Sequence, residues 1–283
     1  MNKQKQILVI GSDGFIGKSI SSYLKNKKYN IVNTSRKNIS GKKIFFDLKD
    51  DINKFKLIKP DSVIICAGIT SVDYCKNNPK YSSEVNVFGV KKIIDHFKFK
   101  KSQVIYLSTS QVFNGKTPYQ KKHSLTSPLS EYARQKLLSE KIILNNGGVV
   151  IRVTKILSKE TELIKRWQSQ LSCNKQINAF SNLPIAPLNA DFVCEFIKKV
   201  IDKNSSGLFQ LSPKDDIKYI DIAKRLANKI NSNENLVNSV LAKPFDIGYK
   251  SLPEFATLDM APEELDFSIK CPKSDEVLNF IGI

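Results

Sequence analysis

Ile7-Leu8-Val9-Ile10-Gly11-Ser12-Asp13-Gly14-Phe15-Ile16-Gly17 decides the fold: four apolar residues, then three evenly spaced glycines, then the start of an amphipathic pattern. So short an apolar run suits a strand buried on both faces, and Ile16, Ile20, Tyr23 and Leu24 continue at helical spacing. In a strand-turn-helix unit each glycine has its own task. Gly11 allows the tight turn, Gly14 lets backbone approach a pyrophosphate, and Gly17 lets the helix pack close on the strand. The helix N-terminus adds N–H donors and the positive end of its dipole, so the segment reads as a dinucleotide-binding turn.

Working outward, similar apolar runs occur at Ile31-Val32, Ile44 to Phe46, Val63 to Cys66, Val104 to Leu107 and Val149 to Val153. Helical patterns over Asp73 to Phe97 and Ser130 to Leu144 lie between them. Strand and helix in alternation predict right-handed crossovers and a doubly wound parallel α/β (Rossmann) sheet. After Arg152 the pattern loosens into a polar helix through Ile164 and Trp167 and a loop punctuated by Pro184 and Pro187. The expected division is a dinucleotide-binding domain over residues 1–152, completed by about 188–212, and a smaller C-terminal α/β substrate lobe over 153–187 and 213–283.

The 283 residues are 41% hydrophobic, enough to bury a sizeable core. Met1 to Gln6 is polar and runs straight into the first strand, which leaves no room for a signal peptide, and no apolar stretch is long enough to span a bilayer. A cytoplasmic protein with no membrane partner is expected. The five cysteines are scattered without a Cys-x-x-Cys pair, so neither a disulfide framework nor a metal site is signalled. A net charge of +18 would draw in anionic ligands such as nucleotide diphosphates. It is spread as lysine along the whole chain rather than gathered into a stripe with aromatics, which argues against nucleic acid.

The end of the second strand chooses the cofactor. An acidic residue there would bind a ribose 2'-hydroxyl, but Asn33-Thr34-Ser35-Arg36-Lys37 offers a hydroxyl and two cations instead. That favours NADP(H) over NAD(H), with Ser35 and Arg36 as contacts to the 2'-phosphate. Asp47-Leu48, closing the third strand, is placed to bracket the adenine, or is simply a turn. Further along, Tyr132 and Lys136 are four residues apart and so share one helix face. The ammonium is expected to lower the pKa of the phenol and to hold the nicotinamide ribose, while Thr109 gives the carbonyl oxygen a second donor. His96 and His123 read as surface residues.

With the glycine turn, a Ser/Thr on the fifth strand and Tyr-x-x-x-Lys together, the chain resembles the extended short-chain dehydrogenase/reductases. Within them it is most similar to the dTDP-4-dehydrorhamnose reductase group. The supporting stretches are Pro60 to Gly68, Val72-Asp73, Glu84-Val85-Asn86-Val87, Leu107 to Gly115 and Pro128 to Glu140. The resemblance implies Thr109, Tyr132 and Lys136 as the catalytic trio. It also implies Gly11, Phe15, Ile16, Asp47, Leu48, Ala67 and Gly68 as cofactor lining. Where that group carries Asp-Tyr after the threonine this chain has Ser110-Gln111, and a later family stretch is reduced to Ser181 to Ala186. Ser110, Gln111 and Trp167 are therefore the substrate-side candidates, and without two carboxylates after Thr109 the dehydratase chemistry of related enzymes is disfavoured.

The expectation is an NADPH-dependent ketoreductase of a nucleotide-linked deoxysugar, with a homodimer as the assembly to test. Two alternatives stand beside it. One is an epimerase that retains NAD. The other is a non-catalytic NADP-binding regulatory subunit, like the family's partner of methionine adenosyltransferase.

Overall fold

Strand β1 (Gln6–Ile10) has Ile7, Leu8 and Val9 fully buried, because helices cover both faces of the sheet it centres. The computed structural model describes residues 4–37 and 43–283, so Met1 to Lys3 of the polar N-terminal stretch lie outside the described residues. After β1 come helix α1 (Phe15–Asn26), β2 (Asn30–Ser35), β3 (Ile44–Phe45) and β4 (Ser62–Ile65). Helices α2 (Val72–Asn77), α3 (Pro79–Ser83) and α4 (Val90–Lys98) follow, then β5 (Gln103–Thr109), α5 (Glu131–Asn145) and β6 (Val149–Val153). The strand Gly207–Leu211 joins beyond β6, giving a seven-stranded sheet whose other members run β6-β5-β4-β1-β2-β3. Pairing is parallel from β3 through β2, β1 and β4 to β5. The doubly wound sheet expected from the sequence is the one observed, with its order reversing between β1 and β4.

The segment read as one helix from Asp73 to Phe97 is broken. Asn78 leaves the helical region (φ −130, ψ 57) before Pro79, because a proline ring crowds the preceding residue out of the α conformation. Between α3 and α4 the chain makes a π-helical turn over Glu84–Gly89, which carries Asn86 inward. One face of the sheet packs Leu8, Ile10, Val63, Ile65, Val104 and Tyr106 against Phe46, Phe55, Ile93 and Phe97. Helix α1 buries Gly17, Ile20, Ser21 and Leu24, the 3–4 spacing of a single face.

The chain divides into two units: residues 1–112, 130–152 and 191–209, and residues 113–129, 153–190 and 210–283. Residues 113–129, which the sequence reading leaves in the first domain, thus group with the second unit. That unit has its own core, in which Trp167, Ile164 and Leu171 of one helix meet Ile222, Ala223 and Leu226 of another. It also contains a two-stranded parallel ribbon pairing Ile177–Phe180 with Val237–Val240.

Candidate active site

The glycine turn is built as its spacing implies. Gly11 sits at φ +90, and a Cβ there would lie 2.6 Å from the backbone nitrogen of Ala67. A Cβ on Gly17 would come within 2.2 Å of the Gly11 carbonyl oxygen, so both positions are held by packing of the first unit itself. Gly14 is different. Its nearest neighbour would be the Gly11 oxygen at 3.6 Å, an ordinary contact, so the protein alone does not demand glycine there. Gly14 does line a cavity of about 570 Å³, and its missing side chain leaves bare backbone towards that space.

This cavity lies where the strand order reverses, beyond the carboxyl ends of β1 to β4, which is where open α/β sheets bind ligands. Gly11, Asp13 and Gly14 line it after β1, Ser35 and Arg36 after β2, Asp47 and Leu48 after β3, and Ala67 and Gly68 after β4. A volume of this order suits a nucleotide-sized group. Of the cofactor-lining candidates, Phe15, Ile16 and Gly17 do not line it, and Phe15 is exposed. Asp47 is both a turn residue and a wall residue: its carboxylate accepts from the Lys49 N–H at 2.9 Å.

Ser35 is not the open hydroxyl the sequence suggests. It donates to Asp13 Oδ2 and accepts from the Lys37 N–H at 2.9 Å, while Asp13 Oδ1 pairs with Lys43 Nζ at 2.6 Å. Hydrogen bonds from Lys43 and Ser35 hold the Asp13 carboxyl below its usual range, so it is ionised at neutral pH. Asp13 lies within the glycine turn, but nothing in the sequence said that its carboxylate meets Ser35 and Lys43, which are distant along the chain.

Helix α5 begins at Ser130, whose hydroxyl accepts from the Ala133 N–H at 3.2 Å, and it buries an unusually polar face. Tyr132, Gln135, Lys136, Ser139 and Glu140 all point inward. Lys136 Nζ donates to the Leu107 carbonyl at 2.8 Å and stands over the Tyr106 ring at 4.5 Å and the Tyr132 ring at 6.0 Å. Burial drags this ammonium down from 10.5 to about 8. Burial also drives the Tyr132 phenol well above its ordinary 10. The shift runs opposite to the expectation that Lys136 makes the phenol more acidic: burial raises it, and the Lys136 ammonium is engaged with the Leu107 carbonyl and the Tyr106 ring.

Thr109 is buried at the end of β5, with its Oγ1 accepting from the Gln111 N–H at 3.2 Å. Thr109, Tyr132 and Lys136 do not line the cavity. Of the three, Lys136 is linked to it through Cys66, a cavity residue whose thiol interacts electrostatically with Lys136 and is pushed up to about 12 by burial. Ser110 and Gln111 form a half-buried 3-10 turn after β5, where Gln111 Oε1 is a buried acceptor with no hydrogen-bond donor among the described residues. Trp167 is withdrawn as a substrate contact, since it is 3% exposed and belongs to the core of the second unit. His96 is half-buried rather than a surface residue, edge-on to the Phe97 ring, and its burial lowers its pKa.

Two buried polar networks support this arrangement, and sequence reasoning assigned neither. Asn86, brought inward by the π turn, holds Ile69 N–H and C=O with its amide at 2.8 and 2.9 Å and donates to Gln135 Oε1 at 2.9 Å. It thereby fixes the loop that carries Ala67 and Gly68. Glu140 accepts from Ser108 and from Arg152, the latter at 2.7 Å with both side chains almost fully buried, which ties α5 to β5 and β6.

The sequence model described as the RmlD substrate binding domain matches residues 5–280. A probable low-salt glycan biosynthesis reductase of Haloferax volcanii is 23% identical, covering 77% of this chain and 75% of its own length. Methionine adenosyltransferase 2 subunit beta of Rattus norvegicus is 23% identical, covering 92% and 82%. Among solved structures, dTDP-4-dehydrorhamnose reductase of Bacillus anthracis, in complex with NADP, superposes with a TM-score of 0.87 at 18% identity, covering 99% and 98%.

Proposed function

We propose that this chain, which belongs to the RmlD substrate binding domain family, is an NADP(H)-dependent reductase of a ketone on a nucleotide-linked sugar. The observation that carries the reading is the cavity over Gly11 and Gly14 at the reversal of the sheet, one of whose lining residues, Cys66, interacts with Lys136 of a buried Tyr-Lys pair. Gly11, Gly14, Ala67 and Gly68 would hold the dinucleotide, Asp47 and Leu48 its adenine, and Arg36 a 2'-phosphate. A bound dihydronicotinamide supplies the hydride. Tyr132 supplies the proton, since a phenol holds its proton at neutral pH and yields it to an alkoxide, the stronger base. Lys136, still mainly an ammonium at neutral pH, positions the Tyr132 ring and stabilises negative charge as it develops on the carbonyl oxygen. Thr109 offers that oxygen a second hydroxyl. The lysine-rich surface raises the local concentration of an anionic substrate. With no helix among the described residues long and apolar enough to cross a membrane, a cytoplasmic setting fits this substrate class.

The test is NADPH oxidation in the presence of nucleotide-linked keto sugars. Tyr132→Phe should lower kcat by about 10²- to 10⁴-fold while leaving cofactor affinity within about threefold. An undiminished kcat would refute the role of Tyr132. A second reading is a non-catalytic binding subunit, favoured by the similarity to methionine adenosyltransferase 2 subunit beta along most of the chain. NADPH binding with no turnover on any nucleotide sugar, together with capture of a stable protein partner, would support that reading instead.

A further inference from the structure

The second-strand rule for cofactor choice looks for an acid at the end of β2, and this chain has none there. The carboxylate arrives from the turn after the neighbouring strand β1. Asp13, within the turn after β1, reaches Ser35 at the end of β2 through Oδ2 and Lys43, just before β3, through Oδ1 at 2.6 Å. Asp13, Ser35 and Arg36 all line the cavity. We propose that Asp13 sets the choice between 2'-phosphorylated and unphosphorylated dinucleotides by competing with the 2' substituent for the Ser35 hydroxyl and the Lys43 ammonium.

Charge and donor count separate the two ligands. A 2'-phosphate entering beside Arg36 needs hydrogen-bond donors and cations. The nearest hydroxyl and one of the nearest ammonium groups are already engaged by a fixed negative charge. To bind the phosphate, Lys43 must turn from Asp13 to the phosphate, and the two anions must then share the positive charge of Arg36, Lys37 and Lys43. An unphosphorylated ribose meets no such conflict, because Asp13 accepts a hydrogen bond from its 2'-hydroxyl as a β2 acid would. The chain thus takes either cofactor, with Asp13 penalising the phosphorylated one and Lys43 offsetting that penalty. Asn at this position would keep the size and one acceptor while removing the charge.

This inference rests on the dinucleotide reading of the cavity. The experiment is calorimetric titration of the full chain with adenosine 2',5'-bisphosphate and with ADP at low ionic strength, where exposed charges are least screened. The quantity read is the ratio of the two dissociation constants. Asp13→Asn should shift that ratio about tenfold towards the 2'-phosphorylated ligand, and Lys43→Gln should shift it by a similar factor the other way. A change smaller than about twofold in both variants, or a shift of both in the same direction, overturns the proposal while leaving the dinucleotide site standing. If Asp13→Asn does not fold, Asp13→Ser, which also removes the charge, is read in its place. Wild-type protein that binds neither ligand refutes the dinucleotide site, and the proposal with it.

Discussion

Lys136→Met should make the first unit more stable at neutral pH even as it disables the site. The ammonium is buried beneath α5 with its charge opposed by lost solvation, so its pKa falls from 10.5 to about 8. At about 1.4 kcal/mol per pH unit, holding that proton in the native state costs roughly 3 kcal/mol. Met fills similar volume without charge. The variant leaves the Leu107 carbonyl without the ammonium it now accepts from at 2.8 Å, a loss of about 1–2 kcal/mol, so the net gain near neutral pH is about 1–2 kcal/mol. The sign with pH follows from proton counting. Below about 8 native and unfolded chains both carry the proton, and the full cost is present. Between about 8 and 10.5 only the unfolded chain keeps it, so wild-type stability rises with pH through that window and the cost has gone above it. The cysteines and Tyr132 titrate in the opposite sense near the top of the window, but they are common to both proteins and largely cancel in the difference. Urea unfolding of the two proteins near pH 7 and again near pH 9.5 should therefore show the advantage of Met shrinking by about 2 kcal/mol. A Met variant less stable at both pH values, with a difference independent of pH, would show that the lysine is not a buried charge.

The glycines separate packing from ligand binding. Gly17→Ala drives a Cβ into the Gly11 oxygen and should cost about 1–3 kcal/mol of stability in a melting experiment, whereas Gly14→Ala should leave the melting point nearly unchanged and weaken ADP binding about tenfold or more. Glu140→Gln leaves the Arg152 guanidinium buried opposite a neutral amide, so a loss of about 3–5 kcal/mol is expected in urea unfolding, with no recovery on adding nucleotide. Trp167→Ala should cost about 3–5 kcal/mol in the second unit's core without altering the affinity for ADP.

Much of the first unit was legible because its information is local. The run Ile7-Leu8-Val9-Ile10 can be buried on both faces only if helices cover both sides of its sheet, and the evenly spaced glycines after it leave few turn geometries. The spacing of Tyr132 and Lys136 placed them on one helix face, yet it could not say that this face, with Gln135, Ser139 and Glu140, points inward. Nor could it find the break at Asn78-Pro79 and the π turn that aims Asn86, since the apolar pattern runs across both.

From the sequence alone came the α/β class, the dinucleotide turn and the pairing of a phenol with an ammonium, because each depends on residues within a few positions of one another. Tertiary structure decided how deeply that pair is buried. Burial raises the pKa of the Tyr132 phenol and lowers that of the Lys136 ammonium, a shift that spacing along one helix does not foretell. It also decided the rim of the cavity, where Asp13, Ser35 and Lys43 meet only because parallel pairing sets the ends of β1, β2 and β3 side by side. Periodicity records which way a side chain faces along its own element; what stands opposite it, and whether water reaches it, depends on strands that are far apart in sequence.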